Sequence, residues 1–111
     1  MKKSFLTAVM VCCICLIAHA YTMYGGFSCK ENGETVARIE LSANGRVEMA
    51  DYETGSSWSG TYEIDGQPAP GDTRSITFYI NGQTYYGTYL WPRSGKQAIS
   101  FDGRYFEMSR R

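Results

Sequence analysis

From Glu34 onward the chain keeps returning to one pattern: apolar and polar residues alternate, and glycine-bearing turns separate the alternating runs. A period of two marks β-strands that bury one face, and no run of about ten residues carries the stripe of an amphipathic helix. In Glu34 to Leu41, residues Ala37, Ile39 and Leu41 fall on one face, with Arg38 and Glu40 on the other. After Ser42-Ala43-Asn44-Gly45, Val47 and Met49 alternate with Arg46 and Glu48. A two-residue Asn-Gly turn would pair Ala43 with Arg46 and put Val47 on the wrong face. A three-residue loop, Ala43 to Gly45, pairs Ser42 with Arg46 instead, so that Leu41 meets Val47 and Ile39 meets Met49. Gly45 then becomes the left-handed residue of a bulge-type hairpin.

The same reading extends along the chain. In Trp58 to Ile64, residues Trp58, Gly60, Tyr62 and Ile64 share the inner face; Asp65 to Asp72, with Pro68, Pro70 and Gly71, is a loop. Ile76, Phe78 and Ile80 alternate up to Asn81-Gly82, a two-residue hairpin signal that pairs Ile80 with Gln83 and Phe78 with Tyr85. That register places Tyr85, Gly87, Tyr89 and Trp91 inside. Pro92 to Lys96 makes another loop, and Ile99 and Phe101 turn through Asp102-Gly103 into Phe106 and Met108. With a short strand around Tyr24 to Cys29, the expected fold is all-β: a small antiparallel up-and-down meander of about eight strands, closed or nearly closed into a barrel because closure removes exposed edges. An open β-sandwich is the alternative. Gly60 and Gly87 interrupt inner aromatic rows where a strand must bend.

The first twenty residues differ in kind. Lys2 and Lys3 precede an uncharged run from Phe5 to Ala18, and Ala18-His19-Ala20 offers small residues at the positions a signal peptidase grips. The run is short for a membrane span of about 20 residues. None of Cys12, Cys13 and Cys15 follows the small residues that a lipidated cysteine requires. Residues 1–20 are therefore expected to be a cleaved signal peptide and 21–111 a single domain, exported to the periplasm or beyond, with no membrane attachment after cleavage.

Cleavage would change the chemistry available. It would remove His19, the one histidine, and three of the four cysteines, leaving Cys29. Without histidine, Ser-His-Asp and Cys-His nucleophile machinery is impossible, and one thiolate cannot hold zinc. No catalytic, metal or cofactor site is expected. Carboxylates such as Glu40, Glu48, Glu63 and Glu107 fall on outward positions, where solvated surface charge is the simple reading. Loss of Lys2 and Lys3 leaves nine basic residues against eleven acidic, a net of −2 that offers nucleic acid no electrostatic footprint. Cys29 is either a small buried residue or a reactive thiol open to intermolecular pairing.

Aromatic residues supply the positive signal. Tyr79, Tyr86 and Tyr105 point outward, and Trp58, Tyr89 and Trp91 complete the candidate set for contact with a ligand or partner, since tyrosine and tryptophan give large contact area at low entropic cost. Cross-strand tyrosine pairs that merely stabilise the sheet are the competing reading.

Gly45-Arg46-Val47, then Trp58-Ser59-Gly60-Thr61-Tyr62-Glu63-Ile64-Asp65-Gly66, then Ile76-Thr77-Phe78, resembles a pattern common in small exported bacterial lipocalin-like (calycin-type) proteins. Ile99-Ser100-Phe101-Asp102-Gly103-Arg104-Tyr105-Phe106 is similar to their last hairpin. The resemblance implies a β-barrel; the lipocalins' early Gly-x-Trp signature is missing from the first strand. Phe27-Ser28-Cys29 with the following Gly33 is similar to the opening of one bacterial lysozyme-inhibitor family, and Gly55-Ser56-Ser57-Trp58-Ser59-Gly60 is a loose analogue of its Ser-Gly-rich inhibitory loop, without that family's second cysteine.

The expected function is a non-catalytic exported binding module that recognises a protein or a small apolar or sugar ligand. Inhibition of a secreted hydrolase such as lysozyme is one alternative. Surface assembly is another, and it would require a long unpaired strand edge.

Overall fold

The computed structural model describes residues 20–110. The expected signal segment lies outside the described residues apart from Ala20. The described strands are β1 (Ala20–Tyr21), β2 (Gly25–Glu31), β3 (Glu34–Leu41), β4 (Arg46–Asp51), β5 (Ser56–Asp65), β6 (Thr73–Ile80), β7 (Gln83–Leu90), β8 (Ala98–Phe101) and β9 (Arg104–Arg110), and no helix occurs among the described residues. From β2 to β9 each strand pairs antiparallel with its sequence neighbour, and β9 returns to β2 through Phe27↔Met108 and Ser28↔Glu107. The meander is a closed eight-stranded barrel, with β1 added beside β5. The open sandwich does not form.

The registers argued from patterning are those observed. Leu41 faces Val47 and Ile39 faces Met49, while Gly45 takes φ +86° and donates its N–H to Ser42 O at 3.0 Å. A β-carbon at that φ is strained, which is why glycine ends this loop. At Asn81-Gly82 both residues are left-handed (φ 53° and 75°), pairing Ile80 with Gln83 and Phe78 with Tyr85. The right-handed twist of the flanking strands matches such a turn.

The sharpest change of partner along the ring is in β5. Ser56 to Thr61 pair with β4, and Thr61 to Ile64 pair with β6. Gly60 stands at this changeover, where a β-carbon would lie 2.1 Å from the carbonyl oxygen of Tyr79. Glycine is needed there to let the two backbones meet.

Inner-face side chains fill the interior. Phe27, Ile39, Leu41, Val47, Ile64, Ile76, Phe78, Tyr89 and Ile99 are fully buried, with Tyr62 and Phe106 nearly so. Phe27 meets Tyr89 edge to face, ring centres 6.4 Å apart, and Phe78 meets Phe101 at 5.0 Å. Two residues expected inside are not enclosed. Trp58 faces Met49 across β4 but is 41% exposed, and Tyr85 is 39% exposed. β6 ends one residue after Tyr79, the partner of Thr61, so no β6 residue stands beside Trp58.

The connections alternate between two ends. At one lie the tight turns β2–β3, β4–β5, β6–β7 and β8–β9. At the other lie the loops β3–β4, β5–β6 and β7–β8, together with residues 22–24.

Candidate functional site

The long-loop end holds a pocket of about 220 Å3. Its walls are Tyr21, Met23, Trp91 and Met108, and Tyr89 and Gln97 form its polar part; Tyr24 and Pro68 complete the rim. Each wall comes from a different part of the chain. Trp91 is positioned by two backbone hydrogen bonds that tie the β5–β6 and β7–β8 loops together: Gly71 N–H to Trp91 O at 2.6 Å, and Trp91 N–H to Asp72 O at 3.0 Å. Asp72 also accepts from the Ala69 N–H at 2.9 Å and from Arg74 Nη2 at 3.1 Å, and these donors, Ala69 first, hold its carboxyl below the usual range.

The N-terminal wall is held by Tyr62. Its hydroxyl accepts the Met23 N–H at 2.8 Å and lies 2.6 Å from Met23 O and 2.8 Å from Ser42 O, the carbonyls available to its single proton. Thr22 Oγ1 donates to Ala43 O at 2.7 Å, and Tyr21 pairs with Ile64. Burial pushes the Tyr62 phenol above its ordinary value, the Met23 hydrogen bond opposes this, and neighbouring Tyr21 adds to the rise. At the inner end of the pocket Tyr89 donates its hydroxyl hydrogen to the side-chain oxygen of the buried Gln97. The result is a small recess of mixed apolar and polar lining with the Tyr89–Gln97 pair at its inner end, able to offer a ligand both ring contacts and hydrogen bonds.

A second depression, about 450 Å3, lies on the outer face around the small side chain of Ala50, between Arg38, Glu40, Glu48 and Tyr52. Arg38 is already engaged, donating to Glu40 Oε1 at 2.7 Å and to Ser28 Oγ at 2.9 Å, and Ser28 shares a hydrogen bond with Ser109 at 2.8 Å. This polar cluster clamps β2, β3 and β9 together.

The candidate aromatics fall into three places. Tyr89 and Trp91 come together at the long-loop pocket. Tyr79, Tyr86 and Tyr105 are 41%, 74% and 50% exposed on the outer wall. Trp58, toward the tight-turn end, lines the depression around Ala50 together with Ser57 and Ser59. Cys29 is buried, 5% exposed, which matches the small-residue reading. Tyr79 donates to Glu63 Oε1 at 2.5 Å, and that carboxylate, with some desolvation, pushes its phenol up to about 12. The Ser-Gly-rich segment resembling an inhibitory loop is not a loop: Ser56 to Gly60 are strand β5, paired to β4.

Tyr21, Met23 and Gln97 lie in a two-residue strand and in loops, where no periodicity marks them. Alternation puts Met108 on the inner face of β9, but parity does not tell that it reaches the end pocket. Comparison with protein-family models, curated proteins and solved structures gave no match for this chain.

Proposed function

We propose that the chain is an exported, non-catalytic binding barrel of lipocalin-like architecture, which takes a small ligand at its long-loop end. The observation that carries this reading is the pocket between Trp91, Tyr21, Met23 and Met108 with the Tyr89–Gln97 pair at its inner end. Its volume admits a single aromatic ring or a short alkyl chain, and the polar pair suits a ligand with one hydrogen-bonding group. Residues 1–20 act as the export signal in this reading. Assembly through strand edges is the less favoured reading, because β2 to β9 pair in one ring and only stretches such as residues 56–60 of β5 and 83–87 of β7 keep an unpaired side.

Trp91 provides the readout. In a Trp58→Phe variant of the exported protein it is the remaining tryptophan, and its emission reports on the pocket directly. A panel of indole, phenols and short-chain carboxylic acids is expected to contain a compound that shifts this emission and raises the thermal midpoint; at a hundredfold excess over Kd the stabilisation is about 2.7 kcal/mol. Trp91→Ala should abolish the effect. A panel without any response, or turnover of a panel compound, overturns the reading.

A further inference from the structure

Gln97 is buried, 8% exposed, and yet it lines the end pocket. Polar side chains at that depth are normally paired throughout, because each unpaired donor is costly. Gln97 is paired on one side. Its Oε1 accepts the hydroxyl hydrogen of Tyr89, while its Nε2 donates to no described residue. No side-chain nitrogen or oxygen among the described residues is both sealed from solvent and unpaired. Nε2 is therefore open, and the pocket is the space that Gln97 faces.

The amide is held in that orientation from two directions. Tyr89 is fully buried, with its ring set edge to face against Phe27, so the hydroxyl bonded to Oε1 has a fixed position. The backbone carbonyl of Gln97 accepts the Met108 N–H at 2.8 Å, which ties the residue to β9 just before β8 begins. The two N–H donors of the amide thus meet the recess from a rigid mount.

Around them the pocket offers contact without charge: none of the side chains that line it is charged at neutral pH. Met23 and Met108 end side by side, since a β-carbon at Gly25 would lie 3.5 Å from one methyl carbon and 3.0 Å from the other. Thioethers are polarizable and pack favourably against aromatic rings, and Trp91 adds an indole to the same walls.

From this arrangement we infer that the pocket selects a small uncharged ring bearing a carbonyl oxygen. The oxygen accepts from Gln97 Nε2, and the ring lies among Trp91, Met23 and Met108. This selectivity presupposes the end pocket as the ligand site proposed above and names what that site reads. A carbonyl fits because it only accepts. A hydrocarbon would leave the amide donors unpaired, and a carboxylate would be buried beside Gln97 without a counter-charge.

Chemical-shift titrations of the 15N-labelled exported protein with acetophenone, 1-phenylethanol, ethylbenzene and benzoate test it. Acetophenone is expected to bind about tenfold tighter than ethylbenzene, the scale of one hydrogen bond to a buried donor. It should also shift the Gln97 side-chain amide resonances, which ethylbenzene should leave nearly unmoved. Gln97→Met, similar in length but without donors, should erase the preference by weakening acetophenone and not ethylbenzene. Where that variant fails to fold, the Gln97 amide shift in the wild type decides alone. Equal affinity for acetophenone and ethylbenzene overturns the selectivity and leaves the pocket a ligand site. Tighter binding of 1-phenylethanol would turn Gln97 Oε1 toward the ligand, and tighter binding of benzoate would demand a cation; either result overturns it too. So does the absence of binding by all four probes, and the pocket falls with it only where indole, phenols and short-chain carboxylic acids are silent as well.

Discussion

The hydroxyl of Tyr62 accepts the backbone N–H of Met23 at 2.8 Å, joining a core strand to a segment 39 residues earlier in the chain. The ring is 3% exposed and packs in the core, while its oxygen ties the N-terminal segment at Met23. Together with the Thr22 hydroxyl on Ala43 O and the Tyr21–Ile64 pairing, this bond sets where residues 22–24 cross the barrel end, and hence where the pocket wall stands.

Tyr62→Phe should therefore keep the ring packing and lose the tie. The Met23 N–H would lose its partner, costing about 1–3 kcal/mol in urea unfolding. Hydrogen exchange should show faster exchange at Met23, with little change at core amides such as Ile39. Equal protection at Met23 in both proteins would contradict the role given to the hydroxyl.

Alkaline stability follows from the two raised phenols. Both Tyr62 and Tyr79 lie above the ordinary value of 10.0 in the folded protein, Tyr79 at about 12. The unfolded chain loses these protons first, so the stabilisation is fully present below about pH 10 and is lost as pH rises through the folded values. Urea midpoints measured from pH 9 to 12 should fall, and Tyr79→Phe should flatten part of that fall. Because Tyr79 is 41% exposed, solvent screening keeps its share small.

Gly60→Ala tests the changeover within β5. Its new methyl would occupy the space of the Tyr79 carbonyl, so β5 and β6 must separate where β5 passes from β4 to β6. The expected cost is about 3 kcal/mol or more, at the upper end for overpacking. Ser59→Ala, next in sequence but exposed, should change the midpoint by less than about 0.5 kcal/mol.

Cys29 should be inert in the native protein. Its side chain packs in the core opposite Ala37, so a thiol reagent such as 5,5′-dithiobis(2-nitrobenzoate) must wait for unfolding. Slow modification in buffer, rapid modification in denaturant, and a monomer band on non-reducing gels are the expected outcomes. Rapid native labelling would place the thiol at the surface.

Much of the barrel could be read from residue order because its determinants are local. Period-two alternation allows one burial face per strand, and a slip of one residue at Leu41–Val47 would have turned that face to water. Asn81-Gly82 and Ala43 to Gly45 then set the turns, since few residues accept φ above zero. The outward placement of Tyr79, Tyr86 and Tyr105 follows from the same parity.

What alternation does not encode is where a strand loses its neighbour. Trp58 has inward parity yet stands half in solvent, because β6 ends before reaching it, and Tyr85 is exposed near the β6–β7 turn. Parity gives the direction of a side chain; enclosure depends on the lengths and stagger of strands distant in sequence. The long-loop pocket is the extreme case. Tyr21 and Met108 approach from opposite ends of the domain only once β9 has closed on β2 and the Tyr62 hydroxyl has drawn in Met23. Short-range pattern specified the strands, their faces and their turns. Ring closure, a long-range event of backbone pairing, produced the filled interior and the pocket.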